Sequence, residues 1–179
     1  MKKGTLTAIL IGAVCLWGMA SFFPKAFKLP LKPHLRLIQD KIMEKCNGDT
    51  EIIVDMSDFT DFEWDQCIVY RAGTWTKDIR ETFQVNYKTS LYLQSGIVFF
   101  QDGEAVYEEF FKDVESAFTN ETPPFLILPY GEEEGKKGTS IKYAGFERKE
   151  VKFKCIKEYW GNQSLIRKGY YYYRLYPIK

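Results

Sequence analysis

Histidine is nearly absent: His34 is the only one in 179 residues. That count excludes a zinc centre built on several histidines. A histidine-dependent triad would need His34 in a folded cleft beside a nucleophile, whereas its place just before the first helix makes it a surface residue. Cysteine is sparse, with four in the chain, too few for a disulfide scaffold, and no two are spaced Cys-x-x-Cys. Seven Pro and 13 Gly are too few for a collagen-like or low-complexity design. The chain contains no phosphate-binding P-loop, no GxGxxG, no GxSxG and no HExxH. No metal site and no cofactor is therefore expected.

What is present is a globular composition, 45% apolar and 27% charged, which excludes wholesale disorder. A chain of this length buries roughly 70% of its unfolded surface without needing a staple. Aromatic residues reach 17%, which is high.

The N-terminal segment carries the strongest local signal. After Lys2 and Lys3, residues Gly4 to Phe23 run twenty positions without a charge, and Pro24 and Lys25 end the run. Twenty apolar residues in a helix span about 30 Å, the thickness of a bilayer's hydrocarbon core. A positive start, an apolar run and small residues at Gly18 and Ala20 also fit a secretory signal cut before Ser21. Residues 1–23 thus read as a signal peptide or a transmembrane anchor, the competing reading being a buried core helix. Lipid attachment at Cys15 is disfavoured by Val14 before it and the bulky Leu16-Trp17 after it. Residues 24–33 read as a linker and 34–179 as one domain. That organisation places the chain on the extracytoplasmic side, anchored or exported.

Charge is balanced overall, at +1, but split along the chain. Residues 21–135 hold 11 basic and 21 acidic side chains; residues 136–179 hold 12 basic and 3 acidic. The basic residues alternate with apolar ones, as in Val151-Lys152-Phe153-Lys154-Cys155, so they form a strand with one wet face. Basic strands lying beside acidic ones in a sheet account for the split. No nucleic-acid recognition motif is present, and an exported protein is not expected to bind nucleic acid.

Periodicity predicts the elements. Leu31, Leu35, Ile38, Ile42 and Cys46 make one helical stripe, with Asn47-Gly48 as its stop. Glu51 to Val54 reads as a short strand. Asp61-Phe62-Glu63-Trp64-Asp65 alternates strictly and predicts a strand entering the core at Cys67 to Tyr70. Thr76 is placed to cap a short helix from Lys77 to Phe83. Leu91 to Leu93 is a possible strand. Ile97 to Phe100 and Ala105 to Tyr107 flank Asp102-Gly103, a hairpin with a tight turn. Phe110, Phe111, Val114 and Phe118 sit at helical spacing, ended by Pro123-Pro124. Phe125 to Leu128 is a buried strand and Tyr130 to Ser140 an exposed loop. Two long strands, about 147–159 and 165–176, close the chain around Gly161-Asn162-Gln163. The fold class is α+β: an N-terminal hydrophobic helix, then one domain with a mostly antiparallel sheet and two or three helices.

Three candidate sites stand out. Asp55, Asp58, Asp61, Glu63 and Asp65 form an acidic cluster without the glycine that a calcium loop needs. It reads as a solvated strand face, with weak cation binding or carboxylate chemistry as alternatives. Cys46, Cys67 and Cys155 could supply one disulfide, but their positions in sequence do not choose the pair, and three buried thiols is the plainer reading. The C-terminal hairpin is unusually aromatic. Four consecutive tyrosines, Tyr170, Tyr171, Tyr172 and Tyr173, put two rings on each strand face. With Arg167, Lys168 and Arg174 beside them they form a candidate binding face, tyrosine giving large rigid area with a hydroxyl handle.

Phe62-Glu63-Trp64-Asp65 and the strand after it resemble a group of small exported bacterial proteins of unknown function, lipoproteins among them, that carry a Phe-x-Trp-Asp strand. Gly96 to Glu104 is similar to their later hairpin. This chain has Ala72-Gly73-Thr74-Trp75-Thr76 where those proteins have a Pro-Tyr-Thr turn. The resemblance implies an envelope location and transfers no catalytic residue. Together these readings describe a non-catalytic binding module of the bacterial cell envelope, in one version an inhibitor or immunity-type protein, with a protein partner and the membrane as its contacts. The alternatives are a carboxylate-dependent hydrolase using Asp61, Glu63 and Asp65, and a structural envelope component.

Overall fold

The computed structural model describes residues 37–46, 49–89, 94–111, 125–149, 151–160 and 170–178. The apolar segment 4–23, the linker, His34, the Asn47-Gly48 stop, the possible strand 91–93, the helical spacing beyond Phe111 and the turn at 161–163 lie outside them. Among the described residues no helix is long and apolar enough to cross a membrane.

Helix α1 (Leu37–Lys45) forms where the apolar stripe predicts it, and Ile38, Ile42 and Cys46 are all buried. Strand β1 (Glu51–Asp55) follows, then a 3₁₀ turn at Met56–Phe59 capped by Asp55, whose Oδ1 accepts from Ser57 N at 3.0 Å. Next come β2 (Gln66–Tyr70) and α2 (Thr76–Phe83), which ends at Gln84 in the left-handed region (φ 54°). The β3 (Ser95–Gln101) and β4 (Glu104–Phe111) hairpin turns at Asp102-Gly103, both with positive φ. Two left-handed residues in succession match the twist of the flanking strands, which is why Asp-Gly marks this turn. Strand β5 (Phe125–Ile127), the short helix α3 (Glu132–Lys136), β6 (Tyr143–Glu147), β7 (Lys152–Trp160) and β8 (Tyr170–Pro177) complete the chain.

The strands make two sheets, ordered β1-β7-β8-β5 and β4-β3-β2-β6. All pairings are antiparallel except β5 with β8. One core joins the two sheets and α1: Cys67, Val69, Ile97 and Phe99 from one, Val54, Phe153, Cys155 and Leu175 from the other. Phe146 on β6 meets Phe153 on β7 edge to face, ring centroids 5.5 Å apart. The opposite face of β2 and β3 packs Ile68, Tyr70, Val98 and Phe100 against Ile79 of α2, with Val85 and Tyr87. Both faces of these two strands are covered, so they read as unbroken apolar runs.

The acid-base split is resolved by the first sheet. Basic β7 pairs with acidic β1, and Lys154 Nζ lies 3.0 Å from Glu51 Oε2 and 3.0 Å from Glu132 Oε2 on α3.

Several expectations are corrected. There are two sheets rather than one. Asp61 to Asp65 is not a strand: pairing begins only at Asp65, whose N donates to Phe100 O at 2.9 Å. Its alternation is real but is satisfied by a loop, in which Trp64 is buried and donates from Nε1 to Thr60 Oγ1 at 2.8 Å. Thr76 does not cap α2. It is the first helical residue, and its hydroxyl donates to Thr89 O at 2.6 Å. Phe110 and Phe111 end strand β4 instead of starting a helix, since ladder bonds to Gly96 and Ser95 outweigh a spacing that one pair of aromatics cannot settle. Glu132 to Lys136 is helical, held by Gly131 N donating to Glu134 Oε2 at 2.8 Å. The predicted strand 147–159 is shared between the last residue of β6, Glu147, and β7, because the two pair in different sheets.

Candidate contact surface

The β7–β8 hairpin decides which tyrosines are presented. Its register sets Tyr159 opposite Tyr171, Lys157 opposite Tyr173 and Cys155 opposite Leu175. Side chains alternate along a strand, so these residues share one face, the face that builds the core further down. Tyr173 and Leu175 are inside that core. Toward the hairpin end the cover runs out, and the same face emerges into solvent. Tyr159 is 60% and Tyr171 53% exposed, whereas Tyr173 is 5%. The Tyr159 and Tyr171 rings lie 5.2 Å apart, and Lys157 Nζ sits 4.9 Å from the Tyr171 centroid and 5.9 Å from that of Tyr173. The ammonium over two ring faces is a cation–π arrangement, leaving a rigid aromatic step with one positive charge.

The other face of the hairpin is closed on itself. Tyr172, only 6% exposed, donates its hydroxyl to Glu158 Oε2. Arg174 lies over the Tyr172 ring at 4.9 Å, reaches Glu158 Oε2 at 3.5 Å and donates to Tyr176 Oη at 3.2 Å. Of the sequence-selected residues, then, Tyr171 is presented, Tyr173 is core, and Tyr172 and Arg174 are joined in an internal network. Arg167 and Lys168 and the side chain of Tyr170 lie outside what is described. The exposed Tyr159 and the half-buried Lys157 complete the step, and their signal was strand alternation across the turn.

The acidic cluster is dispersed into local contacts. Asp55 caps the 3₁₀ turn, Asp58 Oδ2 lies 3.7 Å from Lys45 Nζ, Glu63 Oε2 lies 3.1 Å from Arg148 Nη1, and Asp65 Oδ2 accepts from Asp102 N at 2.7 Å. Among the described residues no three His, Cys, Asp or Glu side chains converge as a metal site.

Two carboxylates that sequence reading did not single out are fully buried, Glu108 and Glu109 on β4. Being neighbours on a strand, they point to opposite sides. Glu109 accepts from the backbone N of Ile38 (2.9 Å, Oε2) and of Gln39 (2.9 Å, Oε1), and from Tyr107 Oη at 2.7 Å. It thus satisfies amide donors that the start of α1 leaves without intrahelical partners. Glu108 Oε1 accepts from Tyr70 Oη at 2.9 Å and from Tyr87 Oη, while its Oε2 has no hydrogen-bond partner among the described residues. Burial raises its pKa, against the opposing pull of hydrogen bonds from Tyr87, Tyr70 and Thr89. Burial first, and the Glu108 charge second for Tyr87, push both phenols up. The available signal was a pair of carboxylates inside Val106-Tyr107 and Phe110-Phe111, an apolar frame for charged residues.

Comparison with protein-family models, with curated proteins and with solved structures finds no match for this chain.

Proposed function

We propose that this protein is a non-catalytic binding module of the cell envelope, held or delivered to the extracytoplasmic side by residues 1–23. Its contact surface is the step made by the exposed rings of Tyr159 and Tyr171 with Lys157 beside them. The single observation that carries the reading is the continuation of the core face of β7–β8 past its cover, which leaves two tyrosine rings in mutual contact in solvent. Rigid aromatic area with a hydroxyl and an adjacent cation is what hot spots of protein interfaces are made of. The occupant is a protein, with aromatic area and charge complementarity as its recognition chemistry. The hydrolase alternative has less support, because Glu63 and Asp65 are already paired with Arg148 and the Asp102 amide.

A photoreactive amino acid at position 171 in the full-length chain, expressed in its own cells, tests the surface. The expected result is one discrete adduct of defined mass, absent when the probe stands at position 53, an exposed site on the opposite face of the same sheet. Adducts at both positions, or at neither, would reject the surface. Fractionation with protease protection tests the location separately.

A further inference from the structure

All three cysteines among the described residues are buried. Cys46 follows the last turn of α1 and Cys155 lies in the middle of β7, facing the same core. They are 109 positions apart in sequence, yet their sulfurs stand 3.1 Å from each other and share a hydrogen bond. Moving two sulfurs from there to a bond of about 2.05 Å needs roughly 1 Å of approach. We propose that Cys46 and Cys155 are a disulfide-forming pair that cross-links α1 to β7, with a small dialkyl disulfide such as oxidised glutathione as the oxidant.

The step balances as two exchanges. The Cys46 thiolate attacks one sulfur of the oxidant, whose S–S bond breaks, and one glutathione thiolate leaves and takes up a proton. Cys155 then gives up its proton and its thiolate attacks the Cys46 sulfur, expelling the second glutathione. Two protein thiols are oxidised, and one disulfide is reduced to two thiols.

The hydrogen bond with Cys155 lowers the Cys46 pKa; burial and Asp49 oppose it, and Lys157 and Lys45 assist it. The same hydrogen bond, then burial, pushes Cys155 up. Cys67 faces the core from β2, where burial pushes its thiol up, and it takes no part. Both paired sulfurs are enclosed, so exchange occurs while α1 is undocked, in folding or local opening, when Cys46 leaves the core with its helix and is the attacking sulfur, with Cys155 the resolving one. The inference does not depend on the contact surface proposed above.

The test uses the full-length chain, purified reduced in mild detergent, then unfolded and refolded in reduced or oxidised glutathione. The oxidised sample is expected to lose two hydrogens in intact mass. Proteolysis should join the peptides holding Cys46 and Cys155, with Cys67 still alkylatable after denaturation. Closing a loop of this size should raise Tm by on the order of 5–15 °C over the reduced form. Cys67→Ala should keep the cross-link, and Cys46→Ala or Cys155→Ala should abolish it. Cys46 and Cys155 both alkylated after refolding in oxidised glutathione, or either one joined to Cys67 or Cys15, would overturn the proposal.

Discussion

Glu109 accepts a hydrogen bond from the backbone amide of Ile38 at 2.9 Å, across 71 positions of sequence. A strand residue thereby caps a helix that is remote from it in the chain. A charged acceptor at a helix N-terminus satisfies orphan amides and meets the positive end of the helix dipole.

Replacing Glu109 with Ala should therefore loosen α1 first. The loss is expected at roughly 2–4 kcal/mol, from charge-assisted hydrogen bonds and a lost cap. Urea unfolding gives the total, and hydrogen exchange should show the amides of residues 38–42 opening before those of β2 and β3. A cost below about 0.5 kcal/mol would mean that the cap is incidental.

Glu108 makes stability depend on pH in a predictable direction. Its folded pKa is raised above the ordinary value of 4.5, so between the two values the native state holds a proton that the unfolded state has lost. Stability then falls as pH rises from about 4.5 through the folded value. Glu108→Gln keeps an acceptor oxygen for Tyr70 and Tyr87 and cannot ionise. Its stability relative to wild type should rise across that window and level off above it. Denaturation midpoints measured from pH 4 to pH 8 that run parallel for the two proteins would contradict this.

Gly96 has no room for a side chain. A Cβ there would lie 2.6 Å from the Glu109 carbonyl oxygen and would meet the Tyr70 hydroxyl and ring. Gly96→Ala is expected to cost at least about 1–3 kcal/mol, because one of the two closest obstacles is backbone and the other, the Tyr70 side chain, is held by Glu108. Gly138→Ala meets nothing within 4 Å and costs only the strain of its φ of 72°, so it serves as the comparison for Gly96. Equal midpoints for the two variants would refute the steric account.

Tyr171 and Tyr173 differ by two positions and should differ sharply in what they do for the fold. Tyr171→Ala removes a half-exposed ring and its cross-strand contacts to Tyr159 and Lys157, a loss of about 0.5–1 kcal/mol. Tyr173→Ala removes a core ring and should cost about 3–5 kcal/mol, as for other large aromatic truncations. Thermal unfolding of the two single variants checks this, and near-equal losses would mean that the hairpin end is covered. The contrast also dictates how the contact surface is to be probed, since a Tyr173 variant confounds binding with folding.

Local chemistry is what could be read along the chain. The α1 stripe, the Asp102-Gly103 turn, the apolar runs of β2 and β3 and the α+β class follow from spacing and turn residues. These depend on neighbours within a few positions. Asp61 to Asp65 misled because alternation serves any extended segment with one wet side, strand or loop. Phe110-Phe111 misled because the ladder to β3 outweighs a two-residue pattern.

The rest was settled by partners distant in sequence. Whether a strand of tyrosines is core or surface depends on where the opposing sheet stops, so Tyr173 and Tyr171 part company with no difference in residue type. The same holds for Glu109 finding the start of α1, Glu108 lying between two phenols and Cys46 meeting Cys155 rather than Cys67. Sequence specifies which groups must be satisfied or buried; only the packed arrangement of α1 and the two sheets supplies the partners, because burial and hydrogen bonding are relations between segments and not properties of any one of them.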